Sequence, residues 1–213
     1  MIKLKGIAAA SGISVGRAFR VGKEELVIPK QEIKQEDIPL QIQLFEEALI
    51  QTRREIIELQ RKIAVDMGQD QADIFDAHLL VLEDRMLIEE VISRLKKELL
   101  CVAYIFSEVL KKYIEVFSKI EDEYLKERTS DINDVGKRIL RNLLGKKRSL
   151  LEDVKDRVVV VAHDISPSDT AAMHKQKVCA FITDIGGKTS HTAIMAKSLE
   201  IPAVVGLENA TSK

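Results

Sequence analysis

The sequence has 213 residues, and its 46% hydrophobic content is sufficient for one large or two small globular domains. Its 33 lysine and arginine residues nearly balance 34 aspartate and glutamate residues, so the formal net charge is −1. No strong positive field therefore favours binding to nucleic acid or to anionic lipid. Because no window approaches the ~20 apolar residues of a membrane span and no cleavable leader pattern is present, we expect a cytoplasmic protein without membrane insertion.

Metal and redox chemistry have little support in the sequence. Cys101 and Cys179 lie far apart in apolar stretches, outside any CxxC motif, so we predict two buried, reduced thiols. No metal site is predicted, because neither a His-x-x-x-His nor a Glu-x-x-His spacing occurs among the four histidines, which are His78, His163, His174 and His191.

The first 30 residues contain short strand-like segments. KLKGIAAA and ISVGRAFRV are separated by Ser11-Gly12, and ELVIP follows, ending at Pro29. We interpret the first two segments as an opening β-hairpin.

Between about residue 36 and Gly145 the apolar residues recur at helical spacing. Four helices are predicted: a long first one, a second over DQADIFDAHLLVLEDRMLIEEVISRLKKEL, a third through Val102 to Val116, and a fourth that ends at Gly145. The stripe of the first helix is Ile42, Phe45, Leu49, Thr52, Ile56, Leu59 and Ile63. Four stripes with short connections indicate a helical bundle.

After Leu151 the pattern changes to strand, helix, strand, helix, strand. RVVVVA, VCAFIT and PAVVGL are apolar runs typical of buried parallel strands, with SPSDTAAMHK and TSHTAIMAKSLE as helices between them. We therefore predict an α/β domain formed by residues 1–30 and 149–213, with an all-α four-helix domain over 31–148 inserted into it.

The segment from Thr183 to His191 is the candidate site. Gly186-Gly187 permits a tight turn after the strand VCAFIT, and Thr189 or Ser190 can cap the next helix. His191 would then lie in the first helical turn, where backbone N–H groups attract anions. A neutral imidazole is a good nucleophile near pH 7, and its phosphoramidate remains reactive. The pattern thus fits phosphoryl storage on His191, although a histidine that only hydrogen-bonds at a helix start fits it equally well.

A nucleotide-binding P-loop is a poor alternative for the same segment. The motif GxxxxGK[ST] ending in Gly187-Lys188-Thr189 requires glycine at position 182, where Ile182 stands.

The run GGKTSHTAIMAKSLEIPAVVG resembles the phosphohistidine signature of enzyme I of the bacterial phosphotransferase system, a phosphoenolpyruvate-protein phosphotransferase. The similarity extends to GIAAASGISVGRAF, DIFDAHLLVLED, EDEYLKERTSDINDVGKRILRNLLG and DISPSDTA, and so covers nearly the whole chain. The resemblance implies an α/β phosphohistidine domain with an inserted helical domain that binds the phosphocarrier protein HPr. It also implies that His191 is phosphorylated through Nε2, accepts from phosphoenolpyruvate and donates to HPr.

The resemblance also assigns supporting residues. Thr170 matches the family hydroxyl that hydrogen-bonds the active histidine, and Gly187, Thr189 and Ser190 belong to the phosphate-supporting signature. Lys188 stands where many members have arginine, so it keeps the charge but loses bidentate geometry, and a solvated loop lysine is an equally good interpretation.

The implied HPr-docking face comes from the second and fourth predicted helices. Gln69 replaces an expected acidic residue and Arg85 adds a positive charge beside Asp84, which would change electrostatic steering of a basic HPr rim. The matching positions are Gln69, Asp70, Asp73, His78, Leu80, Val81, Asp84, Leu87, Leu125 and Arg128.

Enzyme I continues beyond the equivalent of Lys213 into a phosphoenolpyruvate-binding barrel that dimerises. We therefore expect no cofactor in this chain, magnesium and phosphoenolpyruvate only through the missing barrel, and a monomeric fragment of a homodimeric family. Such a chain would exchange phosphate only with HPr. Two alternatives are a phosphohistidine domain of a dikinase-like enzyme, and a non-catalytic module that binds a partner while His191 stays unmodified.

Overall fold

The structure is a computed structural model that describes residues 3–22, 26–119, 123–146, 156–172, 177–188 and 190–213, with side chains at all of these except 123–128 and 170–172. The described residues fall into two compact units. One is drawn from 1–24, 62–71 and 149–213, and the other from 25–61 and 72–148. In the described ranges, no helix combines the length and apolarity that a membrane crossing requires.

The first unit contains a mixed sheet built from strands at both ends of the chain. Its strands are β1 (Ile7–Ala10), β2 (Arg17–Val21), β3 (Val158–Ala162), β4 (Val178–Thr183) and β5 (Ala203–Val205). Their order is β1-β5-β4-β3-β2; β2, β3, β4 and β5 are mutually parallel, and β1 is antiparallel to β5. The three predicted apolar strands are therefore confirmed.

The predicted opening hairpin is wrong, because β1 and β2 lie at opposite edges of the sheet. β1 pairs with β5, and β2 pairs with β3. The physical reason lies in the apolar strands: all five residues of β3 are buried, and such a strand needs a neighbour on each side. The more exposed β1 and β2 cover the two edges.

Two short helices, α7 (Pro167–Ala172) and α8 (His191–Ser198), connect the strands of this sheet. Alternate residues of β3 point to opposite faces, so Val158 and Val160 join one apolar cluster and Val159 and Val161 another. The first cluster is the main core and includes Ala193 and Ala196 of α8. Small residues at these positions let α8 lie close to the sheet.

The second unit contains α3 (Ile74–Leu82), α4 (Arg85–Glu98), α5 (Val102–Ser118) and α6 (Glu123–Leu143), together with most of α1 (Ile38–Met67). The end of α1 and the start of α2 (Gln69–Ala72) group instead with the sheet unit, which differs from the predicted insertion over 31–148. Met67, in that stretch, packs against the sheet core.

The second predicted helix is in fact three helices in succession, α2, α3 and α4. The break before α4 occurs at Asp84, whose extended backbone and side chain form an N-cap. An aspartate that accepts backbone N–H bonds competes with a continuous helix, and this local preference outweighs the uninterrupted apolar pattern.

Two glycines explain how α6 ends and how it packs against α5. Gly145, with φ +62°, lies after α6, and Lys146 N donates to Arg141 O at 2.9 Å. This is the predicted glycine cap. Within α6, Gly136 faces Leu110 of α5 so closely that an added Cβ would lie 2.4 Å from the leucine side chain. A glycine inside a helix is therefore explained here by close helix packing.

The two cysteines, Cys101 and Cys179, are free, as predicted, but both are half-buried and not fully buried. Cys101 Sγ lies 3.2 Å from the carbonyl oxygen of Pro29, to which it donates. Its surroundings thus suit a packed thiol.

Candidate active site

The loop that carries His191 leaves the sheet at the end of β4. The backbone N–H of Asp184 donates to Ala162 O and that of Ile185 to His163 O, both at 3.1 Å, so pairing with β3 continues two residues beyond the strand. Gly186 then adopts φ +116°, a conformation that L side chains rarely take. The glycine at 186 is thus required by the backbone, whereas a Cβ at Gly187 would meet nothing within 4 Å.

His191 is the first residue of α8, and Ser190 is the N-cap. Ser190 Oγ accepts from Ala193 N at 3.3 Å and donates to Gly187 O at 2.9 Å. The cap therefore fixes both the helix start and the turn before it. Half-buried, His191 lies at the positive end of the helix dipole, where an anionic group on its imidazole would be stabilised.

The rest of the signature is placed around this turn. Lys188 is exposed, and its carbonyl oxygen accepts from Lys197 Nζ at 3.3 Å, so α8 also holds the loop through its last turn. Thr189 lies outside the described residues. Thr189 and Ser190 are both predicted as possible N-caps of α8, and the structure shows Ser190 in this position.

A second segment reaches the start of α8 from the end of β3. Thr192 is 3% exposed, and its Oγ1 donates to Ile165 O at 3.1 Å. The β3–α7 segment leads from there into α7, which includes Thr170. The Thr170 side chain lies outside the described part of the chain, so its bond to His191 stays a prediction.

Sequence reasoning did not single out Asp184, although it lies inside the candidate segment. Its carboxylate is 3% exposed and accepts from Thr211 N at 3.0 Å and from Thr211 Oγ1. His163 Nδ1 lies 3.3 Å from Asp184 Oδ2. Burial alone would raise the pKa of Asp184, but the hydrogen bonds from Thr211 and His163 together hold that pKa below its ordinary value. The available signal was an acidic residue directly after an apolar strand.

This environment predicts that Asp184 contributes to acid sensitivity. Because its folded-state pKa lies below the ordinary 3.8, the carboxylate stabilises the folded chain above about pH 4, and this contribution is lost as the pH falls through the folded pKa. Asp184→Asn should therefore lower the free energy of unfolding at pH 7 and flatten its decline below about pH 4. Urea denaturation at a series of pH values measures both effects, with Asp156→Asn as an exposed control. Parallel curves for wild type and Asp184→Asn would contradict the prediction.

The described residues contain no group of three or more His, Cys, Asp or Glu side chains that could hold a metal ion.

The predicted docking residues are spread over both units. Gln69 and Asp70 lie on α2 and are exposed, and both belong to the stretch that groups with the sheet. Asp73 is also exposed, and Leu80 on α3 is 58% exposed. The remaining predicted positions belong to the helical unit, where Val81 and Asp84 are half-buried, and Leu125 and Arg128 lie on α6 with side chains outside the described part.

His78 and Leu87 are placed where a partner cannot touch them without helix movement, at 0% and 3% exposure. His78 Nε2 lies 3.3 Å from Asp131 Oδ1, and its ring packs edge-on against Phe75. His78 therefore links α3 to α6, and Leu87 fills the core beneath α4.

Asp84 has a structural role that any docking experiment must distinguish from a direct role in binding the partner. Its Oδ1 accepts from Met86 N at 2.9 Å and Leu87 N at 3.2 Å. Asp84→Ala should lower the free energy of unfolding by about 0.5–2 kcal/mol, because two N–H groups at the start of α4 lose their acceptor. Glu89→Ala removes the same charge from an exposed site on α4 and should change stability by less than about 0.5 kcal/mol. If urea denaturation shows that Asp84→Ala and Glu89→Ala lose the same free energy of unfolding, the stabilising role of the Asp84 cap is refuted.

Two protein-family models match the chain and together cover most of it. The model described as PEP-utilising enzyme, N-terminal matches residues 5–128, and the one described as PEP-utilising enzyme, mobile domain matches residues 154–213. The fold and the signature around His191 thus define the class of the PEP-utilising enzymes.

Curated relatives carry the name phosphoenolpyruvate-protein phosphotransferase. The Bacillus subtilis protein is 40% identical over 211 residues, which are 99% of this chain and 37% of that protein. The Listeria monocytogenes protein is 42% identical over 210 residues, 99% of this chain and 36% of that protein. The chain therefore belongs to the phosphoenolpyruvate-protein phosphotransferase, or enzyme I, family, and it spans little more than one third of the length of these relatives.

Solved structures agree with the fold. An NMR structure of Enzyme I (nEIt) superposes with a TM-score of 0.76 at 47% identity, covering 99% of this chain and 85% of that one. The N-terminal domain of Enzyme 1 - Nitrogen superposes with a TM-score of 0.66 at 23% identity over 99% of this chain and 86% of that one, a likeness in fold alone. The predicted fold class, an α/β domain with a helical domain, is confirmed.

Proposed function

We propose that this chain carries a phosphoryl group on His191 Nε2 and exchanges it with the phosphocarrier protein HPr. The observation that carries the proposal is the position of His191 at the capped start of α8, on a loop held to the carboxyl edge of the sheet. The name of the relatives, phosphoenolpyruvate-protein phosphotransferase, is that of an enzyme that acts on a protein, which supports the proposal.

The transfer requires little covalent chemistry from the protein. The bond between phosphorus and the HPr imidazole breaks as the bond between phosphorus and His191 Nε2 forms, and the reverse step returns the group. The amides at the start of α8 stabilise the added negative charge, and the Ser190 cap keeps the ring in register with them. Thr170, Gly187, Lys188 and Thr189 are proposed to support the ring or the phosphate.

The docking surface is proposed to lie on the helical unit at the exposed positions Asp73, which precedes α3, and Leu80 on α3. Asp70 on α2 is proposed as a separate contact. His78 and Leu87 would act from beneath, by holding the helices that present this surface. The resemblance to enzyme I implies that phosphoenolpyruvate and magnesium act through a barrel domain outside these residues, so the proposed reaction of these residues is exchange with HPr.

Radiolabelled phospho-HPr tests this proposal directly. Wild type should take up label, and His191→Ala should take up none, because the only proposed acceptor is gone. His174→Ala, at a histidine outside the signature, should label like wild type. Equal labelling of wild type and His191→Ala would refute the site. HPr binding in a titration, without labelling of wild type, would favour the non-catalytic module.

A further inference from the structure

Three separate parts of the chain meet at the carboxylate of Asp184. The carboxylate itself begins the loop that leads to His191. His163, directly after β3, contributes its ring Nδ1 at 3.3 Å, and Thr211, near the last described residue, contributes its backbone N–H and its hydroxyl. Because parallel strands end at the same edge of the sheet, these residues come together although they are distant in sequence.

The backbone of Asp184 belongs to the same junction. Its N–H donates to Ala162 O at 3.1 Å, and its carbonyl oxygen accepts from Glu208 N at 2.8 Å. Asp184 therefore joins the segment after β3, the loop after β4 and the segment after β5 through both main chain and side chain. The segment after β3 contacts the start of α8 again through Thr192 and Ile165.

We propose that Asp184 is a positioning residue for phosphoryl transfer, with His163 and Thr211 as its partners. The inference deepens the proposed function and rests on it. The carboxylate fixes the start of the loop, Gly186 turns it, and Ser190 fixes its end at α8. A misplacement of a reacting group by about 1 Å can slow a reaction about 100-fold, so a loosened loop start should reduce transfer without any lost contact to HPr.

A buried carboxylate at this position is costly unless its acceptors are used, which argues against a chance arrangement. Asparagine has nearly the same shape as aspartate, but it has no negative charge and has one acceptor oxygen where the carboxylate has two, Oδ1 next to Thr211 N and Oδ2 next to Thr211 Oγ1 and His163 Nδ1. Asp184→Asn therefore keeps the side-chain volume nearly unchanged, but it removes the negative charge and one of the two acceptor oxygens.

The experiment compares the rate of labelling from saturating phospho-HPr with the affinity for unphosphorylated HPr. Asp184→Asn should slow labelling about tenfold or more and leave HPr affinity within about twofold of wild type. Asp156→Asn, which alters an exposed aspartate just before β3, should change neither quantity.

Thr211 supplies a second, milder test, because it is only half-buried. Thr211→Val removes the hydroxyl that donates to Asp184 and should slow labelling, whereas Thr211→Ser keeps the hydroxyl and should restore the wild-type rate. Thr211→Val should also melt at a lower temperature than Thr211→Ser, because the bond to Asp184 is lost. Both rates are therefore measured well below the two melting temperatures, where both variants are folded and the rate difference reports loop position. This pair decides the matter even where Asp184→Asn fails to fold.

The possible failures are distinct. If wild type takes up no label from phospho-HPr, the proposed function is refuted, and this inference is refuted with it. If wild type is labelled and the labelling rates of Asp184→Asn and Thr211→Val are unchanged, only the positioning role of Asp184 is refuted. Loss of HPr affinity in step with the rate would also overturn it, because the effect would then lie in docking.

Discussion

Gly186→Ala should slow phosphoryl transfer to His191 by about 100-fold. Gly186 has φ +116°, where an alanine is strained by about 1–3 kcal/mol. Its added Cβ would also lie 3.1 Å from Ser190 Oγ, the atom that caps α8. The strain acts on the turn before α8 and the close contact acts on its Ser190 cap, so both disturb the groups that place His191, and a shift of about 1 Å at a reacting group is enough for this loss of rate.

The measurement is the initial rate of labelling from phospho-HPr, together with the melting temperature. Gly22→Ala is the matched control, because a Cβ there meets nothing within 4 Å and the position is far from the signature in sequence. It should label like wild type. A Gly186→Ala protein that labels within about twofold of wild type would show that the loop tolerates the strain, and that the Ser190 cap does not position His191.

Phe106→Ala should lower the free energy of unfolding of the helical unit by about 3–5 kcal/mol. Phe106 on α5 is 0% exposed, and its ring lies 5.6 Å from that of Phe45 on α1, which is 1% exposed. Truncation to alanine removes the aromatic contact and leaves a cavity between α1 and α5. The cavity should persist, because the surrounding side chains are closely packed and cannot move far enough to fill it. A loss of this size is a large part of the stability of a typical domain.

Urea denaturation followed by far-ultraviolet circular dichroism measures the change, since most helical residues belong to this unit. Val116→Ala is the control on the same helix, because Val116 is 55% exposed and its truncation should cost less than about 0.5 kcal/mol. Comparable losses for the two variants would mean that the Phe45–Phe106 contact is not part of the folded core.

Several features of the fold could be predicted because they depend on near neighbours in sequence. The buried face of α1 includes Phe45, Thr52, Ile56 and Ile63 of the predicted stripe, since helical spacing alone decides which side chains share a face. Ser190 caps α8 and glycine follows α6 for the same kind of local reason. The family signature also lies in one continuous segment.

Other features depended on long-range pairing and were missed. The strand-like patterns of β1 and β2 are compatible with a hairpin, and only competition for the edges of β3 and β5 separates them. The burial of His78 depends on Asp131 of α6, which no spacing within α3 reveals. The break at Asp84 was a local signal that the apolar pattern concealed.

The sequence alone determined the buried face of α1, the apolar strands, the capped turn before His191 and the resemblance to enzyme I, because each is encoded in a contiguous stretch. Tertiary structure decided the sheet order, the burial of His78 and Leu87, and the meeting of His163, Asp184 and Thr211. These depend on which distant segments pack together. Burial and hydrogen bonding at such a junction are properties of the assembled sheet edge, and no single segment of the chain contains them.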